Sequence, residues 1–168
     1  MGFSSLNDVL EEQLEDLHSA ETQLVEALPK MAQAASTEQL REAFQTHLEE
    51  TRGHLSRIEE ALGELGVAHP TEVCKGMQGL IAEGEEMIEM GGDPLAMDAA
   101  LIAAAQRVEH YEIAAYGSAR QLADDCGYDG IRDLMDQTLD EESQADKLLT
   151  RIATGGMFKA GVNQQATS

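Results

Sequence analysis

Three glutamates interrupt apolar helical stripes. Glu21 stands in the series Leu10, Leu14, Leu17, Glu21, Leu24, Leu28, Met31. Glu112 stands in Leu101, Ala105, Val108, Glu112, Ala115, Ala119, Leu122, and Glu142 in Ile131, Met135, Thr138, Glu142, Ala145, Leu149, Ile152. Steps of three and four residues place each series on one face of a helix. A carboxylate on such a face enters the core, where it must take up a proton or find a cationic partner. A fourth, Glu50, lies at the margin of the stripe Phe44, Leu48, Thr51, Leu55, Ile58, Leu62, Leu65. Four converging carboxylates are best balanced by two metal cations, and hard oxygen donors with one or two imidazoles suit Fe or Mn.

Near neighbours extend the set. His54 follows Glu50 by four residues and Asp146 follows Glu142 by four, while Glu109 precedes Glu112 by three. Each therefore shares a helix side with its glutamate and could complete or orient a metal site. His47, three residues before Glu50, lies nearer the apolar seam and is a rival ligand, with hydrogen-bonded packing as its plainer reading. His18, His69 and His110 are not expected to be ligands. Tyr111 and Tyr116 flank the acidic centre and are read first as packing residues. Cys74 and Cys126 form no metal or redox motif.

These side chains require helices to position them. The periodicity predicts helices over residues 5–35, 38–65, 71–90, 94–124 and 130–154. Candidate N-caps are Ser4 or Asn7 for the first, Ser36 or Thr37 for the second and Thr71 for the third, with Pro94 in the first turn of the fourth. Gly66 and Gly91-Gly92 end helices. Glu21 lies about 15 residues before the first turn and Glu50 about 14 after it; Glu112 and Glu142 each lie about 15 from the second. At 1.5 Å per residue these heights match. The plan is all-α: two long helical hairpins joined by a crossover with a short extra helix, the ferritin-like four-helix connection. The bundle is expected over residues 1–154, with a mobile C-terminal tail over 155–168.

Composition narrows the function classes. The 168 residues carry 32 Asp and Glu against 11 Lys and Arg, a net charge of −21. Such a chain repels phosphate backbones and anionic membrane surfaces, so nucleic-acid binding is not expected. No apolar run is long enough to span a bilayer. The first ten residues lack the basic and apolar regions of a signal peptide, which points to the cytoplasm.

Four segments carry a resemblance: LHSAETQLVEALPKMA (17–32), AFQTHLEET (43–51) with Gly53 and His54, ALIAAAQRVEHYEIAAYG (100–117) and TLDEESQADKLL (138–149). In this order they resemble the YciE/YciF family of bacterial ferritin-like stress proteins, over about residues 5–153. The resemblance implies a homodimeric ferritin-like bundle with a metal centre of the di-iron type. Its ligands would be Glu21, Glu50, Glu109, Glu112 and Glu142, with Asp146 completing the last helix; His54 stands where some members resemble a Gln. The Glu-x-x-His of ferritins is absent, since Gly53 follows Glu50 by three and Ala145 follows Glu142 by three. The expected function is that of a di-metal (Fe or Mn) carboxylate protein of the stress response, oxidising metal or removing peroxide with O2 or peroxide as reactant. The other reading is a non-catalytic iron-binding or structural stress protein acting as a homodimer.

Overall fold

The structure is a computed structural model that describes residues 2–156 and 159–167. Helix α1 (Leu6–Ala34) begins at a capping box: Ser5 Oγ accepts from the Asp8 N–H and the Asp8 carboxylate accepts from the Ser5 N–H. The cap is thus Ser5, between the two expected candidates. Pro29 lies inside α1 without ending it.

Helix α2 (Glu38–Glu64) has Thr37 at its N-cap, but the Thr37 side chain makes no capping bond. A buried carboxylate from another helix replaces it: Asp98 accepts from the Ser36 N–H at 2.7 Å and the Thr37 N–H at 2.9 Å. Gly66, at φ 82°, closes the far end. Helix α3 (Lys75–Met90) starts at Cys74 rather than Thr71, and the thiol accepts from the Met77 N–H at 3.3 Å. Gly76 in its first turn is needed for contact, because a Cβ there would meet the Tyr111 ring at 2.8 Å.

Helix α4 (Pro94–Cys126) is capped by Asp93 and ends at Gly127, φ 82°. Helix α5 (Asp129–Thr154) follows after a tight turn. The segment expected to be a mobile tail carries short elements. Strands β1 (Gly155–Gly156) and β2 (Lys159–Ala160) pair antiparallel, and α6 (Val162–Gln165) buries Val162 in the core. Met157, Phe158 and Ser168 of that segment lie outside the described residues. One apolar anchor after a Gly-Gly pair leaves no periodicity for a sequence reading to detect.

α1 packs on α2 and α4 on α5; α2 against α5 and α1 against α4 close the square, while α3 crosses from one hairpin to the other over α1 and α4. This is the expected all-α, ferritin-like four-helix bundle. Among the described residues no helix is long and apolar enough to cross a membrane.

The interior falls into two apolar clusters. One gathers Leu24, Leu28, Leu40, Phe44, Leu101, Ile102, Leu149 and Ile152. The other gathers Leu10, Leu14, Leu17, Ile58, Leu62, Tyr116, Ile131 and Met135. Between them lies a layer of buried polar residues.

Candidate metal centre

The layer takes one glutamate from α1, two histidines from α2, two glutamates from α4 and one from α5. Glu21, His54, Glu112 and Glu142 are fully buried, and Glu109 and His47 nearly so. On α2 the buried stripe is Leu40, Phe44, His47, Thr51, His54, Ile58 and Ala61. It contains His47 and His54 where the sequence reading placed Leu48 and Leu55, both of which are half-buried. On α4, Tyr116 and Ala123 likewise take the interior positions expected of Ala115 and Leu122.

Donor atoms of these residues form two overlapping groups. His47, Glu109, Glu112 and Glu142 make one; Glu21, His54 and Glu142 make the other; within each the donor atoms lie within 4.8 Å of one another. Glu142 belongs to both, as a carboxylate bridging two ions would. In the first group His47 Nε2 lies 3.3 Å from Glu109 Oε1 and 3.7 Å from Glu142 Oε2. In the second, His54 Nδ1 lies 2.9 Å from Glu142 Oε1 and 3.4 Å from Glu21 Oε1. The two imidazole centroids are 6.2 Å apart.

The outer contacts orient these donors. His54 turns its Nε2 to Glu141 Oε2 at 3.0 Å, leaving Nδ1 for the interior. Glu141 is in turn held by both of its oxygens, each 2.9 Å from Arg57 Nη2. A carboxylate behind a histidine fixes its ring and tautomer, a common device behind metal-binding imidazoles. Tyr116 donates its hydroxyl to Glu21 Oε1. Glu50 Oε2 sits 3.3 Å from His47 Nδ1 and plays the corresponding part there.

Two expected ligands are not brought into either group. Glu50 is half-buried, its side chain 40% exposed, because the α2 seam is rotated toward His47. Asp146 lies on the outer edge of α5, where it accepts from Gln106 Nε2 at 3.1 Å and faces His110 at 3.4 Å. His47, weighed as a rival, is brought fully inside. Its signal was a seven-residue spacing from His54, the repeat of a buried helix face.

Burial and the crowding of charge shift the titration of every group in the layer. Burial, then repulsion from Glu142, Glu21 and Glu109, pushes Glu112 well above the ordinary carboxylate range. Burial likewise raises Glu109, with His47 opposing, and raises Glu21, with His54 opposing. Burial would also raise Glu142, but His54 and His47 outweigh it and hold that carboxyl low. Burial works against a charged imidazole, yet the surrounding carboxylates raise His47 to about 9 and His54 to about 10. Both oxygens of Glu112, Glu142 Oε2, Glu21 Oε2, Glu109 Oε2 and His47 Nε2 are buried without a hydrogen-bond partner, while His54 Nδ1 and Glu142 Oε1 meet each other at 2.9 Å. Leaving so many strong donors and acceptors unmade in a folded core is costly. Their convergence and chemistry are those of groups that could hold a metal ion.

Comparison with known proteins agrees with this architecture. The family model described as "Domain of unknown function (DUF892)" matches residues 5–167. The protein YciF of Escherichia coli strain K12 is 43% identical over 165 residues, 98% of this chain and 99% of its own. The crystal structure of the E. coli stress protein YciF superposes with a TM-score of 0.84 at 44% identity, covering 88% of this chain and 94% of that one. YcfI from Rhodopseudomonas palustris gives 0.86 at 36% identity, covering 90% and 99%. A Xanthomonas campestris protein at 21% identity shares the fold, with a TM-score of 0.67 over 88% and 91% of the two chains. With the family model spanning nearly the whole sequence and YciF aligned end to end, this chain belongs to the DUF892 family, in which YciF is its relative.

Proposed function

We propose that this protein holds two metal ions, iron or manganese, in the polar layer of its bundle. His47, Glu109 and Glu112 would hold one ion and Glu21 and His54 the other, with Glu142 within reach of both. The observation that carries the reading is the set of buried donor atoms without partners, drawn from all four long helices. Glu50 and Asp146 flank the site without joining either group. Such ions supply redox chemistry toward dioxygen or peroxide, as metal-oxidising or peroxide-removing activity in a stress response requires.

The chain's own residues prepare that chemistry. Glu141, braced by Arg57, keeps the His54 Nδ1 lone pair turned inward. The Tyr116 hydroxyl holds Glu21 in place. Apolar clusters flank the layer on either side. On its resemblance to the family the protein works in the cytoplasm as a homodimer.

Metal content of the purified protein tests the reading, wild type beside Glu21→Gln/Glu142→Gln. The expected result is about two ions per chain, lost in the double variant while the helical signal persists. Full stoichiometric uptake by the double variant would sink it.

A second reading has its own support. His47 and His54 face several carboxylates and, when charged, balance part of the layer without any metal. The protein would then be a non-catalytic or structural stress protein. Unchanged stability after chelation, together with no uptake of Fe(II) under anaerobic loading, favours that outcome.

A further inference from the structure

Beside the polar layer, in the half of the core that holds Leu24 and Leu28, the four long helices do not close on one another. A cavity of about 190 Å³ remains. Its walls are apolar: Leu24 and Leu28 from α1, Phe44 from α2, Val108 from α4, Leu148 and Leu149 from α5. His47 and Glu109 line it where it meets the layer, and His47 Nε2 and Glu109 Oε2 are buried there without a hydrogen-bond partner. Thr46, Gln144 and Arg151 are exposed lining residues, so the cavity opens to solvent between α2 and α5.

Size and charge limit what fits. An engineered cavity of about 150 Å³ lined by aliphatic and aromatic side chains stays dry and takes up benzene. This cavity is slightly larger and has comparable walls. A free anion meets Glu50 at the mouth, Glu109 at the inner end and a chain of net charge −21, with only Arg151 at the opening to offset them, since His47 is already paired with Glu50 and Glu109. A free cation would lose its hydration against apolar walls. An uncharged molecule suffers neither penalty.

We propose that this cavity binds a small uncharged apolar molecule, the size of benzene or a singly substituted benzene, next to the metal centre. The binding itself depends only on the cavity. The adjacency to metal rests on the reading above, and deepens it by naming the class of molecule that reaches the centre through the α2–α5 opening. The inner end of such a molecule lies against His47 and Glu109, the outer end between Glu50 and Arg151.

Toluene is the probe. Full-length protein treated with chelator is titrated by calorimetry, then loaded with Co(II) and titrated again while its visible bands are followed. Ala43→Leu and Ala145→Phe add side-chain volume at two separate points of the lining. The expected result is one toluene per chain with a Kd on the order of 1 mM or tighter, in line with bounds on affinity per heavy atom. Affinity should fall about tenfold or more in each filling variant that keeps the wild-type melting profile, a loss of roughly 1.4 kcal/mol. The Co(II) bands should move as toluene binds.

Folded wild type that takes up no toluene overturns the proposal, and that result needs no variant to fold. Uptake that both filling variants retain at full affinity also overturns it. So does uptake that appears only on dilution to monomer, since a second copy of the chain would then cover the mouth. Toluene uptake by protein that takes no Co(II) would keep the cavity and remove the metal reading. Co(II) uptake with toluene binding but unmoved bands would keep the metal reading and overturn the adjacency.

Discussion

His54 shows how a single side chain acquires a role from its neighbours. One ring nitrogen meets the Glu141–Arg57 pair and the other faces Glu21 and Glu142. Glu141 itself is a quarter exposed and lies outside both donor groups. If it orients the ring, Glu141→Gln should weaken metal binding by about 10–100-fold, the usual cost of losing such a partner. Asp146→Asn, which alters a carboxylate outside the groups, should change it by no more than a few-fold. Competition against a chromophoric chelator measures both, and equal losses in the two variants would contradict the assignment.

The same residues predict a pH dependence for the metal-free protein. His47 and His54 keep their protons up to about 9 and about 10 when folded, because the adjoining carboxylates outweigh burial. In the unfolded chain they titrate near 6.5. Glu109 and Glu112 also hold protons above the usual carboxylate range. Within the layer the folded state therefore binds more protons, with Glu142, and Glu141 beside it, acting in the opposite direction. The imidazole contribution is fully present below about pH 6.5 and is lost as pH rises through about 9 to 10. Urea midpoints of the chelated protein should fall across that window, and midpoints that rise there would exclude the protonation pattern. Metal uptake displaces the same protons, so affinity should increase with pH.

At the scale of the element, helix α2 is decided by its neighbours. Leu48 and Leu55 are seven residues apart, and so are His47 and His54. The two stripes lie about 100° apart around the helix, since each residue turns it by that amount. Burying the histidine stripe leaves both leucines half-buried, and the polar layer gains two imidazoles. The start of α2 depends on α4 as well, through the Asp98 carboxylate that receives the N–H groups of Ser36 and Thr37. Asp98→Ala should cost about 1–3 kcal/mol, the range for removing a buried acceptor from its donors. Equilibrium denaturation reads this directly. A loss below about 0.5 kcal/mol, typical of a neutral surface change, would mean that water replaces the cap.

At the scale of the whole molecule, the polar layer separates two apolar clusters that every long helix crosses. Helical hairpins α1–α2 and α4–α5 each supply donor residues to both groups, the second through the shared Glu142. Metal bound there would tie the hairpins together and stabilise the folded chain by mass action. At about 100 times Kd this amounts to about 2.7 kcal/mol. For a domain of this length that corresponds to a rise in Tm of roughly 5–10 °C. Differential scanning calorimetry of loaded and chelated protein should show it, and coincident transitions would count against a metal centre.

The sequence by itself determined the five main helices, the long hairpins and the presence of acid in the core. Those features follow from spacing along one chain: a 3.6-residue period marks a buried face, and a glutamate within it is visible without any partner. Glu21, Glu112 and Glu142 were legible for that reason. Glu50 at the margin of its stripe was legible too; tertiary structure decided how far α2 rotates, and so buried His47 and His54 in place of Leu48 and Leu55. It also kept Asp146 at the edge of α5, set Asp98 as the cap of α2, accepting from the Ser36 and Thr37 amides at 2.7 and 2.9 Å, and anchored Val162 in the core. Each of these depends on which surface the neighbouring helices present, and periodicity within a single helix carries no record of that.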